Sequence, residues 1–356
     1  MPPNKTSGTT YNETERIIYL DYLRVLSSFA VILIHLAGQN IFVTDVNGSA
    51  WQIFNIYESL TRWSIASFVM ISGALFLGRD IPLKKIYSKY ILKMILIYIV
   101  WSVIYAAFAD VDLKNRLVRI VEGHYHMWFI PMIAGVYACI PFVRPIAIDK
   151  VKTRYFLALS FIFTFALPEI TALMRDFGSE QIVKASALIN SLAENVNIHM
   201  VMGFTAYFVL GYYLHIIEIP KKHRIIIYIS GLAGFLLTTC LDRSMAVKTG
   251  AHFGYYYSDF NVNILMECIA VFTACKYGKF TSSKPRAFIS KAAEYSLGIY
   301  LTHALVLDQL YYLAGLSTLS FDPLLSVPCI GVIVFIISFL FSALLHRIPF
   351  VKKCLV

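Results

Sequence analysis

The chain has 356 residues, of which 58% are apolar and only 15% charged, with a formal net charge of +10. That is too little polar material to clothe a soluble domain, which runs nearer half apolar and a quarter charged. The apolar residues fall in runs of about 20, the length of helix that spans ~30 Å of hydrocarbon, and a soluble core would not supply ten of them.

In chain order, residues 1–15 are polar and read as a short disordered tail. The first apolar run is too long for a cleavable signal, and no A-x-A-like site follows it. Membrane spans are predicted near 17–42, 53–77, 90–109, 127–146, 155–174, 199–217, 225–241, 260–276, 295–313 and 323–345. Between the fifth and sixth, the segment 175–198 carries Ile182, Val183, Ala185, Leu188, Ile189 and Leu192 at the spacing of a short amphipathic surface helix. No long linker, repeat or low-complexity tract interrupts the chain, so residues 16–356 form one predicted membrane domain. The fold class is all-α integral membrane protein with about ten transmembrane helices.

The connections alternate in basic content. One set holds 22 of the 31 Lys and Arg residues, including Arg79, Lys84, Lys85, Lys89, Lys93, Arg144, Lys152, Lys222, Lys284 and Lys352; the opposite set holds seven. The positive-inside rule places the first set, and both termini, in the cytoplasm, and only an even number of spans agrees with that. The net charge therefore calls for anionic membrane lipids at the cytoplasmic rim and for no nucleic-acid partner. The expected localisation is a cytoplasmic (inner) membrane, crossed many times.

An ionisable residue inside a span is costly unless it faces protein or water, so each is a functional candidate. In the first span, "YLDYLRVLSSFAVILIH", Asp21 lies three residues before Arg24 and can pair with it. Arg24 and His35 are ~1100° apart, within ~20° of one helix face, and ~16 Å apart along the axis. Ser28, seven residues before His35, shares that stripe. A histidine satisfied by a neighbouring helix and an arginine reaching to the interface would be the ordinary alternative. In the second span, Glu58 and Arg62 have ion-pair spacing. His124 is predicted as solvated loop, whereas His126 and Trp128 open the fourth span, where interfacial aromatic belts are also common. Tyr300 lies one turn from His303 in the ninth span, and Asn263 and Glu267 in the eighth could line the same cavity.

Several signatures are missing: no phosphate-binding G-x-x-x-x-G-K-[ST] loop, no H-E-x-x-H and no G-x-S-x-G elbow. His303 and Asp308 have the H-x-x-x-x-D spacing of soluble-facing acyltransferases, but on one helix they point ~140° apart, and the match is read as chance. The six cysteines show no C-x-x-C spacing, and neither a disulfide nor a metal site is expected.

Four segments resemble the acyltransferase 3 family of integral-membrane O-acyltransferases. "YLDYLRVLSSFAVILIH" looks like its signature of a basic residue, ten residues and a His, led by an Asp. "TRWSIASFVMISGALFL" resembles its second-helix pattern, with Arg62 and the Ser72–Gly73 pair. "HMWFIPMIAGVYACIPFVRP" resembles the His-x-Trp-Phe segment followed by Tyr137 and Pro141, and "SLGIYLTH" the late pattern ending in His303. The matches run in order over nearly the whole chain. Where many members carry Arg-x-x-Arg at the start of the third helix, this chain has Tyr90 and Lys93, and Lys lacks the bidentate fork for phosphate.

The resemblance implies ten helices with cytoplasmic termini and transfer of an acyl group, most often acetyl, from acyl-CoA to a hydroxyl of an envelope glycan or lipid-linked saccharide. The chain is similar to the stand-alone polysaccharide O-acetyltransferases, such as those acting on enterobacterial common antigen. Acetyl-CoA is then a donor substrate, and no permanently bound cofactor is expected. Arg24 with Lys84, Lys85, Lys89 and Lys93 would form the mouth for the CoA phosphates. His35 would act as base or as covalent carrier, with Asp21 or Ser28 orienting nearby groups, and Arg62, Glu58, His126, Trp128, Asn263, Glu267, Tyr300 and His303 would line the acceptor cavity. The rival class is a secondary transporter of a small polar solute, since intramembrane Arg, His and Glu also mark substrate pathways.

Overall fold

Backbone amides in hydrocarbon must bond within their own segment or within a closed barrel, and apolar runs of this length take the first route. In the computed structural model all regular structure among the described residues, 16–109, 112–196, 203–280 and 282–356, is helical. The polar tail 1–15 and the His199 end of the sixth expected span lie outside them.

The first helices are α1 (Ile18–Ile41), α2 (Ser49–Thr61), α3 (Trp63–Phe76) and α4 (Leu83–Phe108), the last containing a π-turn over Ile86–Ile91. There follow α5 (Leu113–Glu122), α6 (Phe129–Ala138), α7 (Ile140–Ala147), α8 (Lys150–Phe177) and α9 (Glu180–Val196). The remainder comprises α10 (Phe204–Ile216), α11 (Lys221–Thr249), α12 (Val262–Lys276), α13 (Ser283–Glu294), α14 (Ser296–Ala314), α15 (Pro323–Leu345) and α16 (Pro349–Cys354).

Each expected span coincides with a helix or a broken helix. Among the described residues seven are long and apolar enough to cross a bilayer, and an eighth crossing results if the bent pair α6–α7 is one span. The two that fall short have physical reasons: α10 has 13 described residues, and α14 carries Ser296, Thr302, His303 and Asp308. The 64° bend between α6 and α7 falls just before Pro141, which has no N–H to offer the Tyr137 carbonyl. The second span crosses as one stretch, Ser49–Phe76, with its helical hydrogen bonding interrupted at Arg62. There the Trp63 indole N–H donates to the Leu60 carbonyl (2.7 Å) and the Thr61 hydroxyl to that of Tyr57 (2.6 Å).

The amphipathic segment between the fifth and sixth spans is α9. Two further surface helices, α5 and α13, stand where connections were expected. In α5 the apolar Leu113, Leu117, Val118 and Val121 recur at helical spacing, Asp112 caps the Asn115 N–H (3.2 Å) and Gly123, at φ 74°, ends the helix.

α1 is the central helix: 72% of its span is buried, against 22% for α11, and it packs on α2, α3, α12, α13, α14 and α15. Behind it, α3 and α10 touch backbone to backbone. A Cβ at Gly73 would sit 1.8 Å from the Phe208 carbonyl oxygen, and one at Gly211 2.1 Å from that of Met70. Small residues permit such approach between membrane helices, where packing rather than water expulsion drives association.

Candidate active site

Because α1 is one unbroken helix, the Arg24–His35 stripe is real geometry. His35 lies near the far end of α1, and its ring meets rings from two other segments: Tyr125 at 5.1 Å between centroids, His126 at 6.4 Å and His303 at 5.2 Å. His126 belongs to the turn between α5 and α6, and His303 to α14; both are buried. The His126 and His303 rings are 5.0 Å apart, so three imidazoles from three elements converge.

Local bonds fix their protons. His303 Nδ1 is 2.5 Å from the Tyr300 carbonyl oxygen, which only accepts, so Nδ1 carries the proton and Nε2 the lone pair. That Nε2 is buried with no partner among the described residues. The Tyr300 hydroxyl donates to the His126 carbonyl, tying α14 to the turn. His126 Nδ1 shares a hydrogen bond with His124 Nδ1 (2.9 Å), and His126 Nε2 is likewise buried without a partner.

Two cavities flank this cluster. One of about 310 Å³ runs between α1, α3, α4, α6 and α14, with Arg24 and Glu294 among its lining residues, past Ser72 and Tyr137, to Phe129 and Tyr300. The other, about 530 Å³, is lined by Tyr105, Arg119, Glu122, His124, Tyr125 and Trp128. Tyr300 lines the first, and its ring lies 5.4 Å from His126 and 5.8 Å from His303.

The Arg24 guanidinium makes no hydrogen bond among the described residues; as its spacing predicted, it pairs with Asp21, at the long distance of 3.9 Å to Oδ1. Asp21 is held more closely by Arg16, through Nε (2.5 Å), and by the Ser290 hydroxyl (3.2 Å). The N–H donors of the Arg24 guanidinium are thus left for an anion entering the cavity.

Other expected site residues sit elsewhere. Asp21, fourteen residues before His35, is ~21 Å from it along the helix and cannot orient it. Ser28 donates to the Arg24 carbonyl (2.9 Å), one turn back on its own helix, and not to His35. Lys84, Lys85 and Lys89 are exposed, and Lys93 donates to Val356 (2.8 Å); none of the four lines the Arg24 cavity, to which α4 contributes Met94. Asn263 bonds Thr238 (2.6 Å) and the Tyr256 carbonyl (2.9 Å), while Thr238 lies 3.3 Å from Glu267, so this pair builds a separate polar contact between α11 and α12. Glu58 and Arg62 do form an ion pair, with Arg62 over the Tyr257 ring at 4.8 Å. Glu58 abuts α1 three residues beyond His35, since a Cβ on Gly38 would meet its Oε1 at 3.0 Å. Trp128 lines the larger cavity and stays partly exposed.

His124 is not the solvated loop residue its position suggested. Its side chain is 16% exposed, its ring stacks on Tyr105 at 4.3 Å, and Nε2 faces Asp308 Oδ2 at 3.6 Å. Burial, followed by the nearby Arg119 charge, pushes its pKa down to about 4, so it is neutral at pH 7. His252, in the connection after α11, is lowered to about 4 by burial and then by Arg62. Tyr125, His124 and Asp308 are the site residues that the sequence did not single out for the cluster. Among the described residues no three His, Cys, Asp or Glu side chains are placed to hold a metal ion.

A multi-pass helical membrane protein with buried, lone-pair-bearing imidazoles between a cavity holding a guanidinium and a second cavity has the parts of a group-transfer enzyme working inside the bilayer. The chain belongs to the acyltransferase family whose sequence model, described as an acyltransferase domain, matches residues 17–343, and it is a membrane acyltransferase. No curated protein and no solved structure matches it.

Proposed function

We propose that this protein transfers an acyl group, acetyl first among candidates, from cytoplasmic acyl-CoA to a hydroxyl of a cell-envelope glycan or lipid-linked saccharide in the bacterial inner membrane. The observation that carries the reading is the placement of the histidine cluster between two cavities, one of which holds the unbonded Arg24 guanidinium. With the basic connections on the cytoplasmic side, the Arg24 cavity opens toward the compartment that contains CoA. Arg24 binds a CoA phosphate, and the thioester reaches toward Tyr300, one ring from His126 and His303. The larger cavity receives the saccharide from the other side, with Trp128 and Tyr125 offering aromatic faces to sugar rings.

The hydroxyl oxygen attacks the thioester carbonyl as an imidazole of the cluster takes its proton, and CoA leaves as the thiolate. His35, the least enclosed of the three imidazoles, is one of the groups that meet the reacting atoms. A secondary transporter has no use for CoA. The test is acetyl-CoA binding to purified protein. Arg24→Ala should weaken it by about 10–100-fold, the scale of a lost charge-assisted hydrogen bond, and Arg24→Lys should recover part of it. Unchanged affinity in folded Arg24→Ala protein would remove the donor assignment.

A further inference from the structure

We propose that Asp308 and His124 form a relay that fixes His126 as a proton acceptor beside the His35–His303 pair. The inference rests on the acyl-transfer reading and adds to it a base and the two residues that orient it.

The relay follows from which atoms can donate. His124 Nε2 faces the Asp308 carboxylate at 3.6 Å, and an ionised carboxylate only accepts, so the proton of neutral His124 sits on Nε2. Its Nδ1 then holds a lone pair. The 2.9 Å contact between the two Nδ1 atoms must accordingly run from His126 N–H to His124. This leaves the lone pair of His126 on Nε2, the buried atom with no partner. His303 Nε2 is in the same state through the Tyr300 carbonyl. Two proton-accepting nitrogens therefore lie on rings 5.0 Å apart, next to His35, and among the described residues no side chain satisfies either. Buried polar atoms are rarely left so, and an acceptor hydroxyl is the donor that the pair lacks.

The environment suits the task. Around His124 stand Tyr105 from α4, Arg119 and Glu122 from α5, Tyr125 from its own turn and Asp308 from α14; around His126 stand His35, His303, Tyr105 and Tyr300, with Arg62 beyond His35. His124 lines the larger cavity, so the far end of the relay reaches the solvent there. The 3.6 Å approach is longer than a hydrogen bond, as catalytic contacts often are before substrate tightens them.

The proton balance is simple. The hydroxyl proton passes to His126 Nε2 as the C–O bond forms and the C–S bond breaks. His126 then gives its Nδ1 proton to His124 Nδ1, and the His124 Nε2 proton goes to Asp308 or to cavity water. The thiolate regains a proton from water on its own side. Asp308 and His124 act through His126 and are positioning residues; His126 touches the reacting hydroxyl.

The test uses ¹⁴C-acetyl-CoA with native membranes that hold their own envelope glycans, following label transfer against pH. Asp308→Asn should lower kcat about 10–100-fold with the acetyl-CoA KM within about twofold, since only proton transfer is weakened. Loss of the carboxylate makes the imidazolium harder to form, so the acid limb of kcat should move to lower pH. Asp308→Glu should restore part of both. His124→Gln, whose amide oxygen still accepts from His126 but passes no proton on, should move the limb the same way, and the double variant should be no worse than His124→Gln alone. An Asp308→Asn protein with normal kcat, or with reduced kcat and an unmoved limb, overturns the relay. Should Asp308→Asn not fold, the His124→Gln limb decides alone. Wild-type membranes that transfer no label would instead overturn the acyl-CoA reading.

Discussion

The imidazoles of His35 on α1 and His303 on α14 are stacked, with centroids 5.2 Å apart and planes inclined by 23°. They lie on separate helices, and nothing in their spacing says that they act together. Stacked, they should behave as one unit. His35→Ala is expected to insert and bind CoA but to lose about 10²–10⁴-fold in turnover, the usual worth of a positioned proton-transfer group. His303→Ala should cost a comparable amount, and the double variant little more than the worse single one. Turnover of label in membranes measures all three, and a fully additive double loss would separate the two residues. If His35 is a covalent carrier, acetyl label should appear on wild-type protein without acceptor and be absent from His35→Ala.

Tyr300 lines the Arg24 cavity and packs its ring against His126 and His303, so it stands between that cavity and the histidine cluster. Tyr300→Ala should open the partition and admit water to the thioester, so CoA release should exceed acetyl transfer. Tyr300→Phe loses only the hydroxyl bond to the His126 carbonyl and should keep the two matched. Comparing free thiol produced with label transferred checks both, and matched amounts in Tyr300→Ala would show that the ring is no barrier.

Reporters fused after Lys85, Lys152, Lys222 and Lys284 should read cytoplasmic, and those after Asp112, Ser179, Lys248 and Gly315 extracytoplasmic. The basis is the alternation of basic connections. It also decides whether α10 and α14, which fall short in length or apolarity, cross the membrane. One clear inversion among the eight fusions would break the ten-span topology.

Acid should loosen the face of the protein that holds His124 and His252. Each has a folded pKa of about 4, against roughly 6.5 for an unfolded histidine. Below ~6.5 the unfolded chain therefore binds protons that the folded one refuses. Their contribution is intact above that pH and is lost progressively as pH falls toward 4. The Tm of detergent-purified protein should drop over this window. His252→Gln, outside the histidine cluster, should flatten part of the drop; an unchanged slope would mean that other groups dominate.

Much of the site was legible where one helix carries it. Arg24 and His35 share a stripe because α1 is regular, and the helical repeat alone places them. His126, Tyr300 and His303 were readable one by one as polar residues in apolar runs, but their convergence depends on how α14 and the turn before α6 meet α1. Asp308 was set aside because it points away from His303; its neighbour is His124, 184 residues earlier and on another element. Lys84, Lys85, Lys89 and Lys93 show their charge in the sequence but not their place, and none of them is among the residues that line the Arg24 cavity. Asp21 stands within reach of Arg24, yet Arg16, just ahead of the helix, claims it. Asn263 and Glu267 read as lining the same cavity as Tyr300 and His303; their partner Thr238 on α11 draws them to another contact.

The convergence on α1 also sets an order of assembly. Its neighbours α14 and α15 are the last long helices to be made, and His303 follows His35 by 268 positions. At roughly 5–20 residues per second, the first helix spends on the order of ten seconds to a minute in the bilayer before the ribosome delivers its partner. The α3–α10 seam waits in the same way, with Gly73 exposed until Phe208 arrives. A nascent chain released before α14 therefore lacks His303 and the α14 wall of the Arg24 cavity, so the site begun by the first helix is completed only by a late one.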